Sequence, residues 1–358
     1  MTAVQASAAT PAISSGAAPM PSELPPVHLQ AQGLGRRFES RAALGDRIAA
    51  WLGAPLDQRA VQAVDGVDFE LRRGEVMGLV GESGCGKSTL GRMLAGILPP
   101  SAGQVWLGGQ PVMQAQGRHR KTTSRVQMVF QDPFASLDPR MRIGDTLAAG
   151  PLAHGLVSRD EAPAYVAQWL ERVGLPADAS RRYPHQFSGG QRQRIAIARA
   201  LAMQPDTLIC DEPVASLDVS IQAQILNLFL QLRQELGLTM VFISHHLGVV
   251  RHVCDRVAVM YLGRIVEIAS AQALYERPRH PYTRALLDSV PRLHLDDQGL
   301  LADLHPIQGE LPSPLSPPAG CHFHQRCPLA IDRCREQAPR LLALDEGRSV
   351  ACFRSECT

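Results

Sequence analysis

The stretch Val76-Met77-Gly78-Leu79-Val80-Gly81-Glu82-Ser83-Gly84-Cys85-Gly86-Lys87-Ser88-Thr89 decides the fold. It opens as a continuous apolar run of strand length, breaks into a glycine-rich loop, and takes up a helical pattern from Ser88. Strand, glycine loop and helix is the context a phosphate-binding loop requires. Gly81, Gly84 and Gly86 let the loop backbone, Ser83 and Cys85 included, turn its N–H groups onto phosphates. Lys87 is placed to bridge β- and γ-phosphate oxygens, Ser88 to hold Mg²⁺, and Thr89 to reach the α-phosphate. The expected ligand is a nucleoside triphosphate with Mg²⁺.

About a hundred residues further on stands Phe187-Ser188-Gly189-Gly190-Gln191. A Ser-Gly-Gly segment opening a helix offers a hydroxyl and several unencumbered N–H groups, which suits the outer face of a γ-phosphate. Two anion sites in one chain suggest two chains facing each other. Between and after them come further candidates. Leu208-Ile209-Cys210-Asp211-Glu212-Pro213 is an apolar strand ending in two carboxylates, Asp211 for the Mg²⁺ shell and Glu212 to polarise the attacking water. Gln131 follows the apolar run Val126 to Phe130, where its amide can touch Mg²⁺ or that water. His245 follows Val241 to Ser244, where an imidazole can bond the γ-phosphate and report its loss.

The 358 residues hold 36 basic and 34 acidic side chains, a formal charge of +2, with no long single-sign run. That balance gives no general nucleic-acid surface, and no nucleic-acid partner is expected. Hydrophobic residues make up 45% of the chain, enough for a packed core of about two domains. Apolar runs such as Val257 to Leu262 fall far short of the ~20 residues a bilayer demands. Residues 1–26 are rich in Ala, Pro and Ser and carry no Lys or Arg, so they lack the charged start of a signal peptide and are expected to be a disordered tail. A cytosolic location follows, in which the eight cysteines are not a disulfide framework.

Order is expected from Val27, with a strand into Leu34 and a turn over Gly35 to Phe38. Residues 39–61 read as an insertion with a helix-like run from Ala42 to Leu52. Val67, Phe69 and Leu71 alternate with Asp68, Glu70 and Arg72 as a half-buried strand does. The helix after the phosphate loop is expected to run to about Leu98, before Pro99-Pro100. Residues 132–205 are mostly helical in pattern and form an inserted helical subdomain. Strands return at Thr207 to Cys210 and Met240 to Ile243. Between them Ile221, Ile225, Leu228, Phe229, Leu232 and Leu236 keep helical spacing up to a Gly237 cap. The whole predicts an α/β phosphate-loop core with a mainly parallel sheet, an antiparallel β subdomain, the helical insertion, and a small cysteine-bearing C-terminal module over 279–358.

These motifs, taken with the Ser216-Leu217-Asp218 segment, resemble in kind and order those of ATP-binding cassette (ABC) ATPases, over about 27–278. The resemblance implies a RecA-like core and a head-to-tail nucleotide sandwich, in which Ser188, Gly189, Gly190 and Gln191 of one chain complete the site of the other. It implies Glu212 as general base, His245 as switch histidine, Asp218 as the link between sites, and Phe38 as the aromatic stacked on adenine. Phe187 replaces the family's commoner Leu, and His246 stands where Asp is usual.

A narrower resemblance rests on Phe130-Gln131-Asp132-Pro133, Ser136-Leu137-Asp138-Pro139-Arg140, Tyr183-Pro184-His185-Gln186, His280-Pro281-Tyr282-Thr283 and Gly309-Glu310-Leu311-Pro312-Ser313-Pro314. These look like the ATP-binding subunits of dipeptide, oligopeptide and nickel importers, of the second, F-type kind. That implies a peripheral protein on the cytoplasmic face of the inner membrane, working with a second, non-identical ATPase, two membrane permeases and an extracytoplasmic solute-binding protein. The competing class is a soluble ABC ATPase acting on ribosomes or nucleic acid, whose translation-type members usually carry two cassettes where this chain has one.

Cys321, Cys327, Cys334 and Cys352 lie in a Pro-rich segment with little apolar mass, which suggests metal ligation by zinc or an iron-sulfur cluster, with His322 and His324 as substitute ligands. Their spacings do not form the paired C-x₂-C units of a zinc ribbon. Similarity to the importer subfamily's cysteine motif favours a [4Fe-4S] cluster. Of the rest, Cys85 is expected to be alkylatable at a helix N-terminus, Cys210 and Cys254 to be core, and Cys357 to be exposed.

Overall fold

A computed structural model describes residues 25–39, 60–114, 119–289, 307, 309–344 and 347–355. The tail over 1–26, the insertion over 39–61 and Cys357 lie wholly or almost wholly outside the described residues. In chain order the strands are β1 (Val27–Glu39), β2 (Ala60–Arg72), β3 (Val76–Val80), β4 (Ala102–Leu107), β5 (Gln110–Pro111), β6 (Met113–Gln114), β7 (Arg120–Lys121), β8 (Val126–Val129), β9 (Thr207–Asp211), β10 (Thr239–Ile243), β11 (Arg256–Tyr261), β12 (Arg264–Ser270), β13 (Leu342–Ala343) and β14 (Ser349–Val350).

The larger sheet has the order β13-β14-β12-β11-β3-β10-β9-β8. Its five strands from β11 to β8 pair in parallel. Every residue of β3, β9 and β10 is buried, as expected of strands covered on both faces. The pleat sorts their side chains into two apolar layers. Val76, Leu208 and Phe242 pack with Ile225, Phe229 and Val250 on the helical side. Met77, Leu79, Ile209 and Val241 pack on the other side with Leu90 and Met93, and with Leu29 and Phe69 of the antiparallel sheet β2-β1-β4-β5. The α/β class with an antiparallel β subdomain is therefore the observed architecture.

Register brings the working ends of the strands level. Ile243 pairs with both Leu79 and Asp211, and Val129 pairs with Cys210. The segments after β3, β8, β9 and β10 thus leave one edge of the sheet together, the edge where open parallel sheets bind ligands.

Helices cover 132–205: Pro133–Ser136, Ile143–Ala153, Ala162–Arg172 and Gly189–Leu201, with 3₁₀ turns at Ala177–Arg181 and Pro184–Gln186. The helix Val219–Leu236 ends on Gly237 in the left-handed conformation, φ 62°, as its spacing predicts.

Three local expectations are corrected. Gly35 to Phe38 is not a turn but the end of a long β1, which absorbs its irregular residues as shifts in register against β2. Correspondingly β2 is already a strand at Ala60, well before Val67. The helix after the phosphate loop spans only Lys87–Leu94. It stops because Gly96 turns to φ 66° and the N–H groups of Ile97 and Leu98 fold back onto the Arg92 carbonyl, a glycine terminus that acts before the prolines do.

The described residues of the C-terminal segment are docked on the cassette. Strand β14 pairs with β12 at Glu267 and Ile268, the Ala351 N–H donates to the Val266 carbonyl, and the His322 ring meets the Leu262 carbonyl at 3.0 Å. Phe323 is buried against Tyr261 and Tyr282.

Candidate active site

The phosphate loop crosses from β3 to the helix Lys87–Leu94. Gly86, at φ 108°, caps that helix, and a Cβ there would lie 2.1 Å from the Ala63 carbonyl oxygen, so only glycine fits. The Lys87 ammonium is buried and donates to the carbonyls of Gly81 (2.9 Å) and Glu82 (3.0 Å). The Ser88 hydroxyl donates to Asp211 Oδ1 at 2.8 Å, joining the loop's helix to the end of β9. Asp211 is 2% exposed. Burial raises its carboxyl above the ordinary value, and the Ser88 bond and Arg92 oppose that rise.

Glu212, one residue on, meets different partners. Its carboxylate accepts from Gln131 Nε2 at 3.0 Å and lies 3.2 Å from His245 Nδ1. The three candidates chosen from three separate strand ends therefore meet at one carboxylate. Glu212 holds φ 44°, the left-handed region a side-chain-bearing residue seldom adopts. Such a conformation is kept only where its surroundings impose it, and the Glu212 N–H is held by the Ile243 carbonyl at 3.0 Å. Nothing in the sequence signals this strain.

Ser83, Gly84, Gly86, Lys87, Ser88, Thr89, Gln131 and Glu212 line one open cleft of about 340 Å³, together with Val61, Ala63 and Pro314. Phe38 pairs in register with Val61 but is not itself in the lining; it is partly exposed, with the Arg36 guanidinium 4.7 Å over its ring. Cys85 is not in the lining, and its Sγ lies 3.9 Å from the Lys87 ammonium. Its side chain is 1% exposed and burial pushes its thiol up, so the expected alkylation site is corrected to a core cysteine. Cys210 and Cys254 are core as expected.

Ser188, Gly189, Gly190 and Gln191 do not line this cleft. Ser188 caps the helix Gly189–Leu201: its hydroxyl accepts from the Gln191 N–H, and the Gln191 side chain accepts from the Ser188 N–H at 3.0 Å. Gly189 and Gly190 pack against Leu217 and Ile221, setting the Ser-Gly-Gly segment beside an exposed Asp218. A second cleft, about 540 Å³, lies between the sheet end at Phe130 and the helical region, with Asp138, Met141 and Arg199 in its walls.

The four C-terminal cysteines, 321, 327, 334 and 352, line one small enclosed pocket with His280 and His324. All four are free thiols. His322 is turned away to Leu262. Among the described residues, no three Cys, His, Asp or Glu side chains close to the spacing of a single-ion site.

The fold and the cleft together define a phosphate-loop nucleoside triphosphatase with an ABC-type set of strand-end groups. Comparison with known proteins narrows the class. Residues 64–215 match the ABC transporter family model and residues 266–334 that of the oligopeptide/dipeptide transporter C-terminal region. The di/tripeptide transport ATP-binding protein DppF of Pseudomonas aeruginosa is 54% identical over 297 residues, covering 83% of this chain and 91% of that protein. A putative oligopeptide transport ATP-binding protein, YkfD of Bacillus subtilis, is 48% identical over 299 residues, with 82% and 90% covered. Among solved structures, cbiO1 of Clostridium perfringens, part of an ABC transporter complex, superimposes with a TM-score of 0.55 at 28% identity over 70% of this chain and 91% of that one. An ATP-binding cassette dimer bound to ADP and Pi matches equally well, TM-score 0.55, at 23% identity over 68% and 98%, and supports the fold. The chain belongs to the ABC transporter ATP-binding family, in its oligopeptide and dipeptide branch.

Proposed function

We propose that the chain is the energy-coupling ATPase of an ABC importer for di- or oligopeptides, and that ATP-driven closure of an ATPase pair drives its permeases. The observation that carries the chemistry is the Glu212 carboxylate held between Gln131 and His245 at the mouth of the phosphate-loop cleft. The peptide class is supported by the C-terminal match over 266–334 and by relatives whose names specify peptide transport.

In this reading the N–H groups from Gly81 to Thr89 and the Lys87 ammonium hold the phosphates. Ser88 and Asp211, already bonded to each other, fit a Mg²⁺ shell, with Gln131 beside them. Held by these groups, Mg²⁺ would offset negative charge on the bound phosphates. Glu212 takes a proton from the attacking water, and His245 orients that carboxylate and senses the γ-phosphate. Ser188, Gly189, Gly190 and Gln191 serve the partner's nucleotide, Asp218 links the two sites, and Phe38 reaches the adenine from the edge of β1. Residues after Gln131 and the second cleft, beside Phe130, receive a permease segment, so closure of the pair moves the membrane domains. Among the described residues no helix is long and apolar enough to cross a membrane, which fits a peripheral subunit at the cytoplasmic face of the inner membrane. The partners are a second, non-identical ATPase, two permeases and an extracytoplasmic binding protein, and the cassette spans about 27–278.

The four cysteines line one pocket, and the resemblance of their motif to that of the importer subfamily favours a [4Fe-4S] cluster over zinc there. Bound there, such a cluster would tie loops of a weak core together.

Glu212→Gln tests the catalytic assignment: ATP binding should persist while turnover falls by about 10²–10⁴. Unchanged turnover in a steady-state phosphate-release assay would remove Glu212 from the role of base.

A further inference from the structure

A glutamate inside a phosphate loop is electrostatically adverse, since it sets a negative charge between the residues that must hold a polyanion. Glu82 stands directly between Gly81 and Ser83, and the structure shows what offsets it. Arg326, more than 240 residues away in sequence, donates through both ends of its guanidinium, to Glu82 Oε2 at 2.8 Å and Oε1 at 3.0 Å. The Arg326 side chain is 5% exposed and Glu82 25%, so solvent screens the pair weakly. The same glutamate is held at two further points. Its N–H donates to the Tyr282 hydroxyl at 2.9 Å, and its carbonyl accepts from the Lys87 ammonium at 3.0 Å. One residue thus joins the C-terminal segment to the phosphate-binding lysine.

The segment that carries Arg326 reaches the site from a second direction. The Pro314 carbonyl accepts from the Gln62 N–H at 3.4 Å, and Pro314 is in the wall of the nucleotide cleft. Arg326 itself ends the 3₁₀ turn His324–Arg326, whose neighbour Phe323 is locked against Tyr261 and Tyr282. The guanidinium is therefore fixed in place by packing.

We propose that Arg326 is a positioning residue of the nucleotide site: it cancels and holds the Glu82 carboxylate so that the phosphate loop accepts a nucleoside triphosphate. This rests on the cleft being the nucleotide site. It makes the C-terminal segment a working part of that site.

The test is equilibrium binding of a fluorescent ATP analogue with Mg²⁺ to the full chain. Arg326→Ala should weaken binding by about tenfold or more, because a charged pair loses one partner and an uncompensated carboxylate is left within the phosphate loop. Arg326→Gln, which keeps the stem and a donor but not the charge, should show the same direction and serves if the alanine variant does not fold. Glu82→Gln combined with Arg326→Gln should recover most of the affinity lost by Arg326→Gln alone, and the single variant's deficit should shrink at high salt. A purely structural brace would give no such recovery. Arg326→Gln binding like the unmodified chain, or the double variant binding as poorly as the single, overturns the proposal. Lys87→Ala is the control: if it loses binding while Arg326→Gln does not, the Arg326 role alone fails, and if it binds normally the nucleotide-site reading fails with it.

Discussion

At the scale of single residues the site is a set of short polar contacts made by side chains that the local sequence could only nominate. Gln131 and His245 each read alone as ordinary strand-end residues, and their meaning comes from a shared partner, Glu212. That partnership depends on the register of β8, β9 and β10, which no single strand encodes. The strain at Glu212, φ 44°, and the pairing of Glu82 with Arg326 were not legible at all, because both depend on contacts distant in sequence. A different kind of residue-scale effect is visible at Lys121. Burial alone lowers its ammonium to about 8 from an ordinary 10.5. The unfolded chain then holds that proton more tightly than the folded one, so the stability linked to it is present above about pH 10.5 and is lost as pH falls through about 8. Chemical denaturation of the unmodified chain and of Lys121→Met should therefore differ in pH dependence: relative to the variant, the unmodified chain gains stability from pH 8 to pH 10. Parallel curves would place Lys121 in water.

At the scale of elements the sequence was most legible where patterns are long and periodic. The strands β3, β9 and β10 and the helix Val219–Leu236 follow from apolar runs and helical spacing, and the glycine at 237 ends the helix as its position implies. Less legible were places where glycine conformation decides, since the same residue ends the helix after the phosphate loop at Gly96 yet is absorbed within β1 at Gly35. The C-terminal segment shows the limit most clearly. Its composition suggests a small module, but not how it is seated: β14 joins the main sheet and His322 bonds a core carbonyl. His322 is also occupied away from the cysteine pocket, which leaves four thiols, His280 and His324 in its lining. Purified without oxygen, the protein should be brown, with thiolate-to-iron absorption in the visible and about four irons per chain. A colourless, iron-free protein that retains its fold would reject the cluster.

For the whole molecule, the cleft and the Ser188-Gly189-Gly190 segment are presented by one chain but do not meet within it. Gly189 and Gly190 sit against Leu217 and Ile221, with Asp218 exposed nearby, so the Ser-Gly-Gly segment and Asp218 share one surface. This arrangement suits a second ATPase completing each site, and binding energy shared across two chains is what can move a membrane partner. The fold and the ATP chemistry were readable from motifs in order. The peptide class rests on the C-terminal region and on relatives whose names specify peptide transport. The most direct measurement is ATP-dependent uptake of a labelled dipeptide into proteoliposomes that hold this chain, its partner ATPase and its permeases, with the binding protein added outside. Uptake is predicted with the unmodified chain and should be lost with Glu212→Gln although nucleotide still binds. Uptake that is equal with Glu212→Gln, or that persists when this chain is omitted, would contradict the account.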